Sequence, residues 1–188
     1  MTITEYIIDR VRLNPQREPP LLFPADRWGW LPDLCNLYDL KRGAEIGVSG
    51  GRFSRRLLAS VPGLTLYSID PWAEDDRIYH KALRTLGPFE NCHVMRDYSL
   101  DVVDLFDDGG LDFFYLDADR RYASVTEDLD AWVPKLRPGG LVCGCCYYNL
   151  PGGERVKDAV DDWTAANGIE TWFVLVHHRY PCYLWEKV

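Results

Sequence analysis

The stretch Ala44-Glu45-Ile46-Gly47-Val48-Ser49-Gly50-Gly51-Arg52-Phe53-Ser54 joins an acid to closely spaced glycines just before an amphipathic run. Glycine takes positive φ at little cost and lets a ligand lie against bare peptide. A helix beginning near Arg52 brings unpaired N–H groups and the positive end of its dipole to the same spot, which favours an anionic or polar cofactor. Asp70 follows about twenty residues later, where a nucleotide fold wants an acid for ribose hydroxyls. Farther on, Asp97 and Ser99 follow one short apolar run, and Asp117 and Asp119 follow another. Two carboxylates one residue apart can hold a hard cation or serve as a base. The dinucleotide fingerprint G-x-G-x-x-G is broken, because counting from Gly47 its later glycines fall on Ser49 and Arg52.

The elements that must position these groups alternate between strand and helix. Apolar and β-branched runs predict strands around Ala44, then over Leu64–Ile69, Cys92–Met95, Leu111–Leu116 and Gly140–Cys146, with a terminal pair at Thr171–Val176 and Tyr183–Glu186. Helical spacing covers Leu31–Leu40, Arg77–Leu86, Leu100–Phe106, Arg121–Lys135 and Glu154–Ala166. Gly43 reads as the left-handed cap that ends the first of these. A short helix over Tyr6–Val11 is capped by Thr4 and stopped by the proline-rich run at Pro15–Pro20. Such alternation predicts an open α/β sheet whose ligands lie outside the carboxyl ends of its strands. Asp117 and Asp119 then face the same crevice as the glycine turn. Asp97 and Asp119 could instead cap the helices that follow them.

The glycine turn resembles the E-x-G-x-x-x-G signature of class I S-adenosylmethionine-dependent methyltransferases, matched by Glu45, Gly47 and Gly51. Asp70-Pro71-Trp72 resembles the D-P-W that follows the second strand in methyltransferase family 24. The run from Leu116 to Tyr122, then Asp128-Leu129, Trp132 and Leu136–Gly140, is similar to that family's I-D-G-D-H-S-Y, D-L, W and L-K-P-G-G. The resemblance implies a single Rossmann-like domain at 41–188 with a seven-stranded sheet in the order 3-2-1-4-5-7-6 and helices on both faces. Residues 1–40 form an N-terminal helical and aromatic extension that acts as a lid or part of the substrate pocket, as the resemblance implies, or else as a clasp on the sheet or a dimer contact, which leaves a homo-oligomer open.

On that resemblance the cofactor is S-adenosylmethionine. Glu45 orients the turn or the methionine amino group, Gly47 and Gly51 admit the cofactor, Asp70 binds the ribose, and Asp97 with Ser99 frames the adenine. Asp117 or Asp119 is the candidate base, with Tyr147 next. The expected reaction is methyl transfer to a hydroxyl of a small molecule such as a sugar or secondary metabolite. The rivals are a catalytically inactive S-adenosylmethionine-binding protein and a nicotinamide-dependent oxidoreductase.

The chain departs from the family where relatives carry G-D-H and G-H-D-Y: Arg120 stands at the histidine and Cys146 at the acid. A hard-cation site would therefore lack its third oxygen donor, and no metal is expected. Cys143, Cys145 and Cys146 lie on a strand whose side chains alternate between faces, so they are not expected to converge. They read as small buried hydrophobes. His177 and His178 read as a solvated turn.

With 21 Lys+Arg against 29 Asp+Glu in 188 residues, the net charge is -8 and no basic stripe is present. A nucleic-acid partner is disfavoured, because a phosphate backbone calls for a clustered positive face. The absence of a signal-like segment or a long apolar run points to a cytoplasmic protein with no membrane partner.

Overall fold

The computed structural model describes residues 1–188 except Glu74 and 177–179. The expected turn at His177 and His178 lies outside the described residues. A central block of parallel strands forms from β2 (Arg42–Ile46), β3 (Thr65–Ile69), β4 (Cys92–Met95), β5 (Leu111–Leu116) and β6 (Leu136–Gly144). In β5, Phe113, Phe114, Tyr115 and Leu116 are all buried, as befits a strand covered on both faces. The helices α3 (Arg52–Ser60), α4 (Asp76–Leu86), α6 (Tyr122–Trp132) and α7 (Val156–Ala166) connect and cover these strands. A short α5 (Ser99–Val102) follows β4.

Beyond β6 the sheet becomes mixed. The strand β8 (Cys182–Glu186) runs antiparallel to both β6 and β7 (Phe173–Leu175). The expectation of seven strands is corrected here. Leu21–Phe23, part of the expected extension, is a further strand, β1, that pairs in parallel with β7 and makes the order β1-β7-β8-β6-β5-β2-β3-β4. An exposed β7 edge would leave backbone groups open to another chain, and β1 covers it. Leu21 and Phe23 are buried in the process while Leu22 faces out.

The N-terminal elements differ in detail from the sequence reading. In α1 (Ile3–Val11), Thr2 rather than Thr4 is the cap, in a reciprocal box with Glu5. The next helix, α2 (Arg27–Leu37), begins earlier than Leu31 because Asp26 caps it by accepting the Gly29 N–H at 3.1 Å. Pro32 does not end it. Pro32 has no N–H for the Trp28 carbonyl, and Arg56 Nε donates to that oxygen instead, at 2.8 Å. Gly43 is not a helix cap but a residue of β2. A Cβ there would meet the Phe113 ring at 2.2 Å, so glycine is needed for close strand packing rather than for a left-handed turn.

Gly43→Ala should therefore destabilise the protein by about 1–3 kcal/mol through overpacking. Urea denaturation reads this directly. The double variant with Phe113→Leu should recover part of the loss, and equal midpoints for wild type and Gly43→Ala would refute the packing account.

Candidate functional site

At the carboxyl ends of β2, β3 and β5 the structure holds a cavity of about 580 Å³, bordered by Gly47, Ser49, Asp70, Ser99 and Asp117 among others. This size suits a cofactor or drug-sized ligand. Gly47 takes φ +89°, and a Cβ there would lie 2.2 Å from the Asp117 carbonyl oxygen. Its N–H donates to the Ile69 carbonyl at 2.9 Å, so the turn is tied to β3 as it leaves β2. Gly51, at φ +79°, is the N-cap residue of α3 and faces Leu86 rather than the cavity.

Asp70 holds the turn in shape. One carboxylate oxygen accepts the N–H groups of Val48 at 2.9 Å and Ser49 at 2.8 Å; the other accepts that of Trp72 at 2.8 Å. The Trp72 indole in turn donates to the Ser49 carbonyl at 2.8 Å. An ionised carboxylate offers about four acceptor positions, so about one remains for a ligand. Glu45 does not border the cavity. It lies buried behind the turn and accepts from the Ser54 hydroxyl of α3, which also sits 2.9 Å from the Ser68 hydroxyl of β3. Burial pushes its carboxyl up to about 8, against the hydrogen bond from Ser54.

The two expected adenine contacts are separated. Ser99 borders the cavity, whereas the Asp97 carboxylate turns outward to accept the Tyr98 N–H at 2.9 Å. Ser99 instead donates to Asp128 of α6, a buried acid on the cavity wall. Burial raises Asp128 to about 6, partly offset by that hydrogen bond. The sequence carries Asp128 in the D-L pair of the family resemblance, but nothing there marks it as a wall residue.

Asp117 is the centre of a second cluster. Its carboxylate lies 3.2 Å from Arg27 Nη1 and 3.6 Å from Arg120 Nη2. The same Arg27 nitrogen reaches the Tyr115 hydroxyl and Cys145 Sγ, each at 2.6 Å. Burial first, then the negative charge available at Cys145, pushes Asp117 up to about 7, with Arg27 and Arg120 opposing. Cys145 is held well below the usual thiol range by hydrogen bonds from Cys146 and Cys182 and by the Arg27 charge.

The cysteines correct the sequence reading. Cys146 Sγ sits 3.3 Å from Cys145 Sγ and 3.7 Å from an Asp117 oxygen. Strand alternation ends at Gly144, and Cys146 takes φ +62°, which swings its side chain back beside that of Cys145. Asp117, Cys145 and Cys146 bring their ligand atoms within 4.8 Å of one another. Within this cluster Cys146 is a thiol that donates to Cys145, while Arg27 and Arg120 face the Asp117 carboxylate.

The same break in alternation redirects Tyr147. Its hydroxyl donates to Asp161 of α7 and its ring packs edge-on against Trp172 at 5.5 Å, away from the crevice. Asp119 borders the cavity but is bound by Arg121 and by the Ser124 hydroxyl at 2.9 Å. Those bonds, the Arg121 one foremost, lower it to about 2, which makes it a poor proton acceptor. Arg27 was missed by the sequence reading. Its position in an aromatic, proline-rich segment gave no sign that it would cross to the end of β5.

A family model for a methyltransferase domain, that of methyltransferase family 24, matches residues 44–144, more than half of the chain. The chain belongs to methyltransferase family 24. No curated protein matches it. Among solved structures it is similar to the O-methyltransferase from Bacillus cereus in complex with S-adenosylhomocysteine, at 15% identity and a TM-score of 0.69 over 98% of this chain and 89% of that one. It is also similar to TomG from Streptomyces achromogenes, an O-methyltransferase of tomaymycin synthesis in complex with S-adenosylmethionine. That match has 19% identity and a TM-score of 0.65 over 88% of this chain and 82% of that one. An rRNA methylase from Streptococcus thermophilus matches at 13% identity and a TM-score of 0.66, over 88% and 99% of the two chains.

As a family 24 member the chain is an S-adenosylmethionine-dependent methyltransferase. Among the described residues no helix is long and apolar enough to cross a membrane.

The buried Glu45 carboxyl gives this family 24 enzyme a defined pH dependence. Between about 4.5 and 8 the native state keeps a proton that the unfolded chain has released, so stability falls as pH rises through that window and levels off above it. Glu45→Gln should flatten this slope, leaving the part due to Asp117 and Asp128, and should show its largest relative stabilisation near pH 8. Urea midpoints across the window measure it; an unchanged slope would mean that Glu45 ionises normally.

Proposed function

We propose that this enzyme binds S-adenosylmethionine in the crevice at the glycine turn and methylates a hydroxyl of a small-molecule acceptor, with Asp117 as the proton acceptor. When bound, the cofactor supplies an electrophilic methyl group on a sulfonium. The bare backbone at Gly47, the remaining acceptor position of Asp70 and the Ser99 hydroxyl are the groups that would hold it. Glu45 and Gly51 support the turn from behind.

The observation that carries the reading is the position of Asp117. It borders the cofactor-sized cavity, while its ion-pair partner Arg27 borders a second cavity of about 360 Å³. An acid near neutrality can take the proton of a hydroxyl as its oxygen attacks the methyl group, leaving a methyl ether, a neutral thioether and a protonated Asp117. Before that step its cationic partners favour the ionised carboxylate. Orientation supplies much of the rest, since aligning two reacting groups can be worth ~7 kcal/mol or more. The small second cavity and the net charge of -8 favour a small acceptor over a nucleic acid.

Asp70→Ala should weaken S-adenosylhomocysteine binding about tenfold or more, because the change removes both the ligand contact and the staple of the turn. Calorimetric titration is the check, and wild-type affinity would take Asp70 out of the site. In a turnover assay against a panel of hydroxylated acceptors, the rate should rise with pH through about 7 as Asp117 loses its proton. Asp117→Asn should lower kcat about 100-fold and abolish that rise. A variant that keeps both rate and profile would dismiss Asp117 as the base.

A further inference from the structure

We infer that the second cavity is the acceptor pocket and that it selects acceptors carrying an oxyanion, a carboxylate or a phosphate, on an apolar body. The inference takes the cofactor to occupy the first cavity, as proposed above. Arg27 and Arg52 border the pocket and flank Trp28, with guanidinium carbons 5.2 Å and 5.8 Å from its ring centroid. Ala25, Trp28 and Leu175 give the pocket apolar walls.

The cationic groups are placed to receive a ligand. Among the described residues no carboxylate lies within ion-pair distance of Arg52, which opens α3 at the pocket rim. The hydrogen bonds of Arg27 among the described residues all leave from Nη1, so Nη2 and Nε remain on its other edge. The Arg27 side chain is only 19% exposed, and a guanidinium out of bulk water binds an oxyanion more strongly than one at the surface. Asp26 also borders the pocket, but its carboxylate accepts the Gly29 N–H as the cap of α2. Among the described residues, Arg52 therefore offers the pocket a guanidinium with no carboxylate partner, and Arg27 offers it a second donor edge.

Such a pocket would seat the anionic end of an acceptor between the arginines and leave its hydroxyl toward the Arg27–Asp117 pair. Arg52 is then a specificity-determining residue. It touches none of the groups placed around Asp117, and its replacement should change which acceptors bind without changing the cofactor site.

The test is a ligand-detected NMR titration of the full-length protein, with and without S-adenosylhomocysteine, using benzoate, phenyl phosphate and the neutral isostere benzamide. At least one anion should bind about tenfold more tightly than benzamide, and the preferred one tells carboxylate from phosphate. Arg52→Gln should weaken that anion about fivefold or more while S-adenosylhomocysteine affinity, measured separately, stays the same. Equal binding of anion and isostere, no binding of either anion, or an unaltered Arg52→Gln would each overturn the inference. Loss of S-adenosylhomocysteine binding in the wild type, with anion binding intact, would instead strike the cofactor reading alone.

Discussion

The main chain of Gly47 rests on the main chain of Asp117 with no room for a side chain between them. This contact makes the glycine turn and the end of β5 a single rigid unit. Because β2 and β5 pair directly, the turn that leaves one strand and the acid that leaves the other emerge together at the mouth of the crevice. The third strand joins through Asp70, whose carboxylate gathers the N–H groups of the turn. A crevice at strand ends is expected of any open α/β sheet; its shape here follows from peptide lying directly against peptide.

Charge is the second organising theme. Glu45, Asp117 and Asp128 are acids shielded from water near the crevice, and each is raised by burial. They are stabilised in different ways. Glu45 and Asp128 take hydroxyl hydrogen bonds, from Ser54 and Ser99, while Asp117 alone has guanidinium partners. Arg27 serves several acceptors at once and lies against the rings of Trp28, Phe53 and Tyr115. Such a cation is desolvated yet well surrounded. The adjacent thiols of Cys145 and Cys146 complete the cluster, so what looked like a run of filler cysteines is part of the electrostatic setting of Asp117.

The N-terminal segment contributes to the Asp117 cluster and to the second cavity. Its β1 covers the sheet edge at β7, and α2 carries Arg27 to the end of β5 and Trp28 to the wall of the second cavity. The fold is shared with O-methyltransferases and with an rRNA methylase at low identity. A fold held in common by enzymes with such different acceptors cannot name the acceptor. What distinguishes this chain is chemistry at the cavity walls, and much of that comes from residues before the first strand of the central block.

The fold class, the glycine turn and the place of Asp70 and Asp117 at the crevice were legible in the sequence, because each depends on local rules. Buried parallel strands are continuous apolar runs, left-handed turns need glycine, and chemistry at strand ends needs polar residues there. The places where the sequence reading failed share a different cause. Gly43 looked like a cap because its need for smallness comes from Phe113, far along the chain. Cys145 and Cys146 looked divergent because alternation was extended past Gly144, where the strand stops. Tyr147 went astray by the same slip of one residue. The meetings of Arg27 with Asp117 and of Ser99 with Asp128 were decided by tertiary structure alone: which groups meet depends on which elements pack together, and no local pattern encodes contacts across 90 and 29 residues.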